Sequence, residues 1–194
     1  DSHWWPALEI RDVKTIEISI PIKDREGRKT AYLIEITTDD DISGIGEARS
    51  AGIPIGIMPP IVDKCLKPLL IGCNPFDVES LYDKMYRHTQ NYGQKGLMII
   101  AISGVEQALW DIIGRVAKQP VYKLIGGCIN QDIEAYASHP RYPTVAEAVK
   151  AAKHSVDLGF KAIKFHQREV ESSKAFRKEI GDEIKIMLDV NGLW

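Results

Sequence analysis

The sequence predicts two units of different class: an α+β unit over residues 1–127 and a β/α unit with a parallel sheet over residues 128–194. Three observations carry this reading. Polar and apolar residues alternate through residues 13–48, apolar residues recur at three- and four-residue spacing between Met58 and Leu124, and strands and helices alternate strictly after Gly127.

Val13 to Ile20, Ala31 to Thr38 and Ile42 to Ala48 read as a three-stranded meander, because each run offers every second side chain to a core. Asp24-Arg25-Glu26-Gly27 and Asp39-Asp40-Asp41 supply the turns. The prolines of Met58-Pro59-Pro60 suit a first helical turn, and Ile61, Cys65, Leu66 and Leu69 follow at helical spacing. Asn74-Pro75-Phe76 breaks that helix. Two further helices are predicted over Phe76 to His88 and Leu97 to Lys118, and Gly126-Gly127 ends a short one over Val121 to Leu124. The second unit then reads as strand Ile133 to Ser138, helix Thr144 to Leu158, strand Ala162 to His166, helix Val170 to Ile180 and strand Ile184 to Val190. Thr144 with Glu147 forms a capping-box signature, and Gly159 stops the helix it starts. Three strands and two helices do not close an eight-stranded barrel, which takes about 250 residues. The second unit is therefore a small doubly wound sheet or the opening of a barrel. Its last strand, left with a bare edge close to Trp194, favours the barrel, with the chain truncated or incompletely represented.

Lys and Arg number 25 against 27 Asp and Glu, so a net charge of -2 gives no electrostatic reason to expect nucleic acid or an acidic membrane surface. Cys65, Cys73 and Cys128 lack metal-ligand spacing and suit reduced thiols. Apolar runs such as Leu97 to Ile102 are too short to span a bilayer. The expectation is a soluble, cytoplasmic protein without nucleic-acid or membrane partners. The opening Asp1-Ser2-His3-Trp4-Trp5 carries no assigned function.

Two tripeptides bear the chemistry. In Lys164-Phe165-His166 and Asp189-Val190-Asn191, strand alternation puts Lys164 with His166 on one face and Asp189 with Asn191 on one face. If both close parallel strands, a cation, an imidazole, a hard carboxylate ligand and an amide meet at one end of a sheet, where such folds place their chemistry. Each tripeptide alone is common; the strand-and-helix interval between them is what joins them.

Gly44-Ile45-Gly46-Glu47-Ala48, Leu66-Lys67-Pro68-Leu69-Leu70-Ile71-Gly72, Asn74-Pro75-Phe76-Asp77-Val78-Glu79, the segment Ala101 to Ile112 and Pro120 to Gly127, in this order, resemble the mandelate racemase and muconate lactonizing branch of the enolase superfamily. The resemblance implies an α+β capping domain over residues 1–127 followed over 128–194 by the start of a TIM-type (β/α) barrel. It implies Mg²⁺ as cofactor, a small carboxylic acid as substrate and a homo-oligomer. Lys164 and His166 fall where the family shows Lys-x-Lys, and Asp189 where it shows its first Mg²⁺ ligand; sites of this superfamily use a Lys or His base with Mg²⁺. The implied chemistry is abstraction of the proton alpha to a carboxylate through an enediolate, with sugar-acid dehydration favoured. Racemisation, cycloisomerisation and a non-catalytic acid-binding role are the alternatives. Lys164 and His166 are the candidate catalytic residues, with Lys164 offsetting negative charge on the substrate carboxylate or depressing the imidazole pKa by like-charge repulsion, and His166 a base or merely a cavity-lining group. Asp189 is the candidate metal ligand, and Asn191, His139, Arg49 and Tyr92 are candidate substrate contacts. Two departures stand out: His166 replaces the second lysine, and the stretches from His166 to Asp189 and from Lys23 to Lys29 are shorter than the family pattern.

Overall fold

A computed structural model describes residues 8–21, 28–49 and 52–192. The chain divides into two compact units, Asp1–Cys128 and Ile129–Trp194. The turn expected at Asp24-Arg25-Glu26-Gly27 lies outside the described residues, as do His3 and Trp194.

In the first unit β1 (Ile10–Pro21), β2 (Arg28–Thr38) and β3 (Ser43–Ala48) form an antiparallel sheet in sequence order. Tyr32, Ile34 and Ile36 are fully buried while Leu33 and Glu35 between them are partly exposed, so one face of the sheet carries the core. Asp41 takes a left-handed φ of 57° in the β2–β3 turn, which closes when the Thr38 N–H donates to the Ile42 carbonyl at 3.0 Å.

The helix expected from Met58 is present but not uniform. It runs as α1 (Met58–Ile61), a π-helical turn (Val62–Leu66) and α2 (Lys67–Leu70). The Lys67 N–H reaches back to the Val62 carbonyl, one residue farther than in an α-helix. Pro68, the next residue, has no N–H to give and would crowd the carbonyl of Lys64, and widening the preceding turn relieves both problems. Next come α3 (Val78–Thr89), α4 (Leu97–Ala117) and α5 (Val121–Leu124). At 21 residues α4 is long and apolar enough to cross a membrane by length and composition, which the short uninterrupted apolar runs did not suggest. Its Ala101, Ile102, Val105, Ala108, Leu109 and Ile112 are fully buried among sheet and helix residues, as in a core helix.

The seam between β3 and α4 accounts for two of the sequence motifs. A Cβ on Gly44 would lie 2.2 Å from the Ala108 carbonyl oxygen, and one on Gly46 only 2.1 Å from that of Gly104. Strand and helix thus meet main chain to main chain. The Ile45 N–H donates to Asp111 Oδ2 at 2.9 Å and the Glu47 N–H to Gln107 Oε1 at 3.2 Å, so helix side chains satisfy amides of the edge strand.

The second unit is a parallel sheet in the order β4 (Ala137–Ser138), β5 (Ala162–Phe165) and β6 (Lys185–Leu188), connected by α6 (Val145–Asp157) and α7 (Val170–Ile180). Thr144 and Glu147 form the expected reciprocal cap of α6. The first strand is shorter than Ile133 to Ser138. With Ala137 opposite Ile163, Ile133 would fall opposite Gly159, whose φ of 95° is not extended, so the earlier residues lack a strand partner. Ile163, Phe165, Phe176, Ala148 and Ala152 are buried in this unit's core. The rings of Phe165 and Phe176 stack 3.8 Å apart.

Candidate active site

Alternation along β5 separates packing from chemistry. Ile163 and Phe165 enter the core, whereas Lys164 and His166 emerge on the other face with side chains 21 % exposed. Phe165 pairs in register with Leu188, and the Asp189 N–H donates to the Phe165 carbonyl at 2.9 Å, extending the ladder one step past β6. Asp189 is thereby set beside His166 at the carboxyl ends of the strands.

Both Asp189 oxygens are held. Lys164 Nζ donates to Oδ2 at 3.0 Å and the Asn191 N–H to Oδ1 at 3.1 Å. The Lys164 hydrogen bond, followed by that of the Asn191 N–H, keeps the Asp189 carboxyl below its ordinary range, and the same Asp189 contact raises Lys164. His166 Nδ1 lies 2.8 Å from the Asp189 main-chain carbonyl oxygen. A carbonyl can only accept, so Nδ1 carries the hydrogen and Nε2 is the bare nitrogen of the neutral ring, 3.9 Å from Asp189 Oδ2. Asn191 brings its amide within 3.3 Å of Nδ1.

Lys164, His166, Asp189 and Asn191 therefore come together. His139 is directed elsewhere: it shares the core side with Ala137, stacks on Phe165 at 5.8 Å between centroids, and has Nδ1 3.1 Å from the Tyr142 hydroxyl and Nε2 2.9 Å from Ser155 Oγ. Burial pushes its pKa below the ordinary value. Arg49 and Tyr92 belong to the first unit, where Arg49 is exposed directly after β3 and Tyr92 is 63 % exposed beside Gly93. One contact escaped the sequence reading: Lys164 Nζ lies 5.8 Å from the centroid of the Tyr136 ring. The signal was available, since Tyr136 is two residues before Ser138, which pairs with Lys164.

As a donor set for a hard divalent ion, these residues fit in part. Asp189 offers carboxylate oxygens kept ionised by their neighbours, on a side chain 35 % exposed. Among the described residues no three His, Cys, Asp or Glu side chains cluster as a metal site. The fit is that of one ligand, and Mg²⁺ needs further oxygen donors.

A family model described as the mandelate racemase / muconate lactonizing enzyme N-terminal domain matches residues 11–126. An arabinonate dehydratase from Saccharolobus solfataricus is 37% identical over 82% of this chain and 45% of its own length. An L-rhamnonate dehydratase from Saccharopolyspora erythraea is 31% identical over 81% of this chain and 40% of its own. The solved 3,6-anhydro-D-galactonate cycloisomerase from Zobellia galactanivorans superposes with a TM-score of 0.84 at 30% identity, covering 96% of this chain and 52% of that one. The chain thus spans about half the length of these proteins, as a capping domain followed by the parallel-sheet start of a barrel.

Proposed function

The chain belongs to the mandelate racemase / muconate lactonizing enzyme branch of the enolase superfamily, and from that membership we propose that the protein carrying it is a sugar-acid dehydratase. The reaction removes the proton alpha to a carboxylate and then expels the β-hydroxyl. Two similar proteins bear dehydratase names, and the observation that carries the reading is the meeting of Lys164, His166 and Asp189 at one sheet end, at 3.0 and 2.8 Å.

Taking the α-proton drives negative charge onto the substrate carboxylate, so the barrier depends on what positive charge faces those oxygens. Bound Mg²⁺ would supply it as a Lewis acid. Asp189 would be one of its ligands. Lys164, whose ammonium lies 3.0 Å from Asp189 Oδ2, would supply a second positive charge to the substrate carboxylate. His166 takes the α-proton at Nε2, the nitrogen left bare by the main-chain bond at Nδ1. The β-hydroxyl departs as water with the proton that His166 took, and the enol left behind tautomerises to a 2-keto-3-deoxy acid.

A panel of sugar acids including arabinonate and rhamnonate, incubated with the protein and Mg²⁺ in deuterium oxide, tests this. The expected outcome is loss of the α-proton signal with formation of a keto acid. An untouched panel at saturating Mg²⁺ would remove the dehydratase reading. A product isomeric with its substrate would instead favour cycloisomerisation, the activity named for the Zobellia galactanivorans protein.

A further inference from the structure

We propose that a cavity between the first turns of α6 and α7 binds a small organic ammonium ion, whose N–H groups are taken by Gln167 and Glu171. The cavity measures about 620 Å³, with apolar wall from Tyr142, Pro143 and Val145 and polar wall from Gln167, Glu171 and Ser172. That volume suits a small molecule. It lies on the helix side of the second unit's sheet, since Gln167 continues the buried alternation of Ile163 and Phe165, opposite in parity to Lys164 and His166.

Gln167 is the residue that points to a ligand. Among the described residues three buried side-chain polar atoms lack a hydrogen-bond partner, Thr15 Oγ1, Gln167 Oε1 and Arg168 Nε, and Gln167 is the one that lines this cavity. It is 3 % exposed, and its Nε2 donates to the Tyr142 carbonyl at 2.9 Å. A carbonyl can only accept, so the amide cannot be reversed and Oε1 is the unmatched end. Native proteins keep few buried acceptors in that condition, and a ligand donor would satisfy this one.

The charges of the wall set the sign of the ligand. Arg141 donates to Glu169 Oε1 at 2.7 Å, while the Arg168 N–H and the Ser172 hydroxyl reach Glu169 Oε2 at 3.1 and 3.4 Å, so this carboxylate is satisfied. At the start of α6, Thr144 and Glu147 close on each other. Glu171, the remaining carboxylate of the wall, joins no ion pair among the described residues. What is left unmatched is one carboxylate and one amide oxygen, both acceptors. A positive charge bearing N–H donors answers both, and an apolar body covers Tyr142 to Val145. An anion would meet a free carboxylate and a bare carbonyl oxygen.

Three probes of similar shape separate charge from donation: 2-phenylethylammonium, trimethyl(2-phenylethyl)ammonium, which keeps the charge without an N–H, and the anion 3-phenylpropionate. Each is titrated into the nitrogen-labelled full chain at about pH 7, where an alkylammonium is charged, and followed by NMR. The first is expected to bind with a Kd on the order of 1 mM or tighter, shifting the Gln167 side-chain amide together with the main-chain amides of Val145 and Ser172. The trimethyl probe is expected to bind about tenfold more weakly, the worth of a hydrogen bond to a charged donor. The anion is expected not to bind. Gln167→Met, which removes the acceptor at similar length, should bring the first probe down to the level of the second, and Glu171→Gln should weaken both cations by a few fold.

Equal binding of the two cations by the wild type would overturn the proposal, as would saturable shifts at these amides with 3-phenylpropionate or arabinonate in place of the ammonium. So would the absence of any saturable shift with 2-phenylethylammonium. Should Gln167→Met not fold, Glu171→Gln decides: weaker binding of both cations supports the site, and unchanged binding overturns it.

Discussion

His139 and His166 follow neighbouring parallel strands and are put to opposite uses, and the parity of one residue decides which. His166 shares its face with Lys164, whereas His139 shares that of the buried Ala137 and bonds Tyr142 and Ser155. The sequence reading placed both at strand ends, where chemistry is expected, but the face of His139 depended on a strand only two residues long. For His139 burial lowers the folded pKa below the ordinary 6.5, so the unfolded chain binds the proton more readily. Stability from this group is complete above pH 6.5 and falls as pH drops through the folded value. His139→Gln should therefore flatten the fall in urea midpoint on acidification from pH 6.5; an unaltered slope would show that other groups cause it. At the other face, Asp189→Asn should lower turnover by more than about a hundredfold at saturating Mg²⁺, beyond what outer partners of a metal usually cost, and wild-type rates in that variant would remove the ligand assignment.

Among the elements, local pattern was informative wherever partners were close in sequence. The meander, the long helices and the α6 capping box were legible because alternation, helical spacing and Thr144 with Glu147 each act within a few residues. The π-helical turn was not, since it answers a proline that follows it, and β4 was overestimated because Gly159 denies it a partner from across the sheet. The glycines of β3 had no explanation until α4 was seen against them. Gly46→Ala, which would drive a Cβ to 2.1 Å from a helix carbonyl, should cost about 3 kcal/mol or more in urea unfolding. Replacing the outward-facing Ile45, 44 % exposed, by Ala should cost under about 1 kcal/mol. In the second unit Phe176→Ala empties half of a buried ring stack and should cost about 3–5 kcal/mol.

For the whole molecule, the order of motifs was more telling than any single one, because the family match covers residues 11–126 while the proposed site residues lie in two tripeptides beyond it. The remaining identity of the substrate was not legible, since no described side chain by itself distinguishes one sugar acid from another. Residues 126–136 are exposed throughout, and Ile133 in particular is 84 % exposed. A glutamate-specific protease is therefore expected to cut first at Glu134 under native conditions, with mass spectrometry locating the cut; first cleavage within β1 to β3 would contradict the order of protection described. The β3–α4 seam has a longer reach. A joint made by omitting side chains has no rotamers through which to creep, so inherited changes in the segments suspended from it arrive without shifting the frame. Sequence change in this unit is then confined to positions away from the seam, since any Cβ at Gly44 or Gly46 would overlap helix backbone.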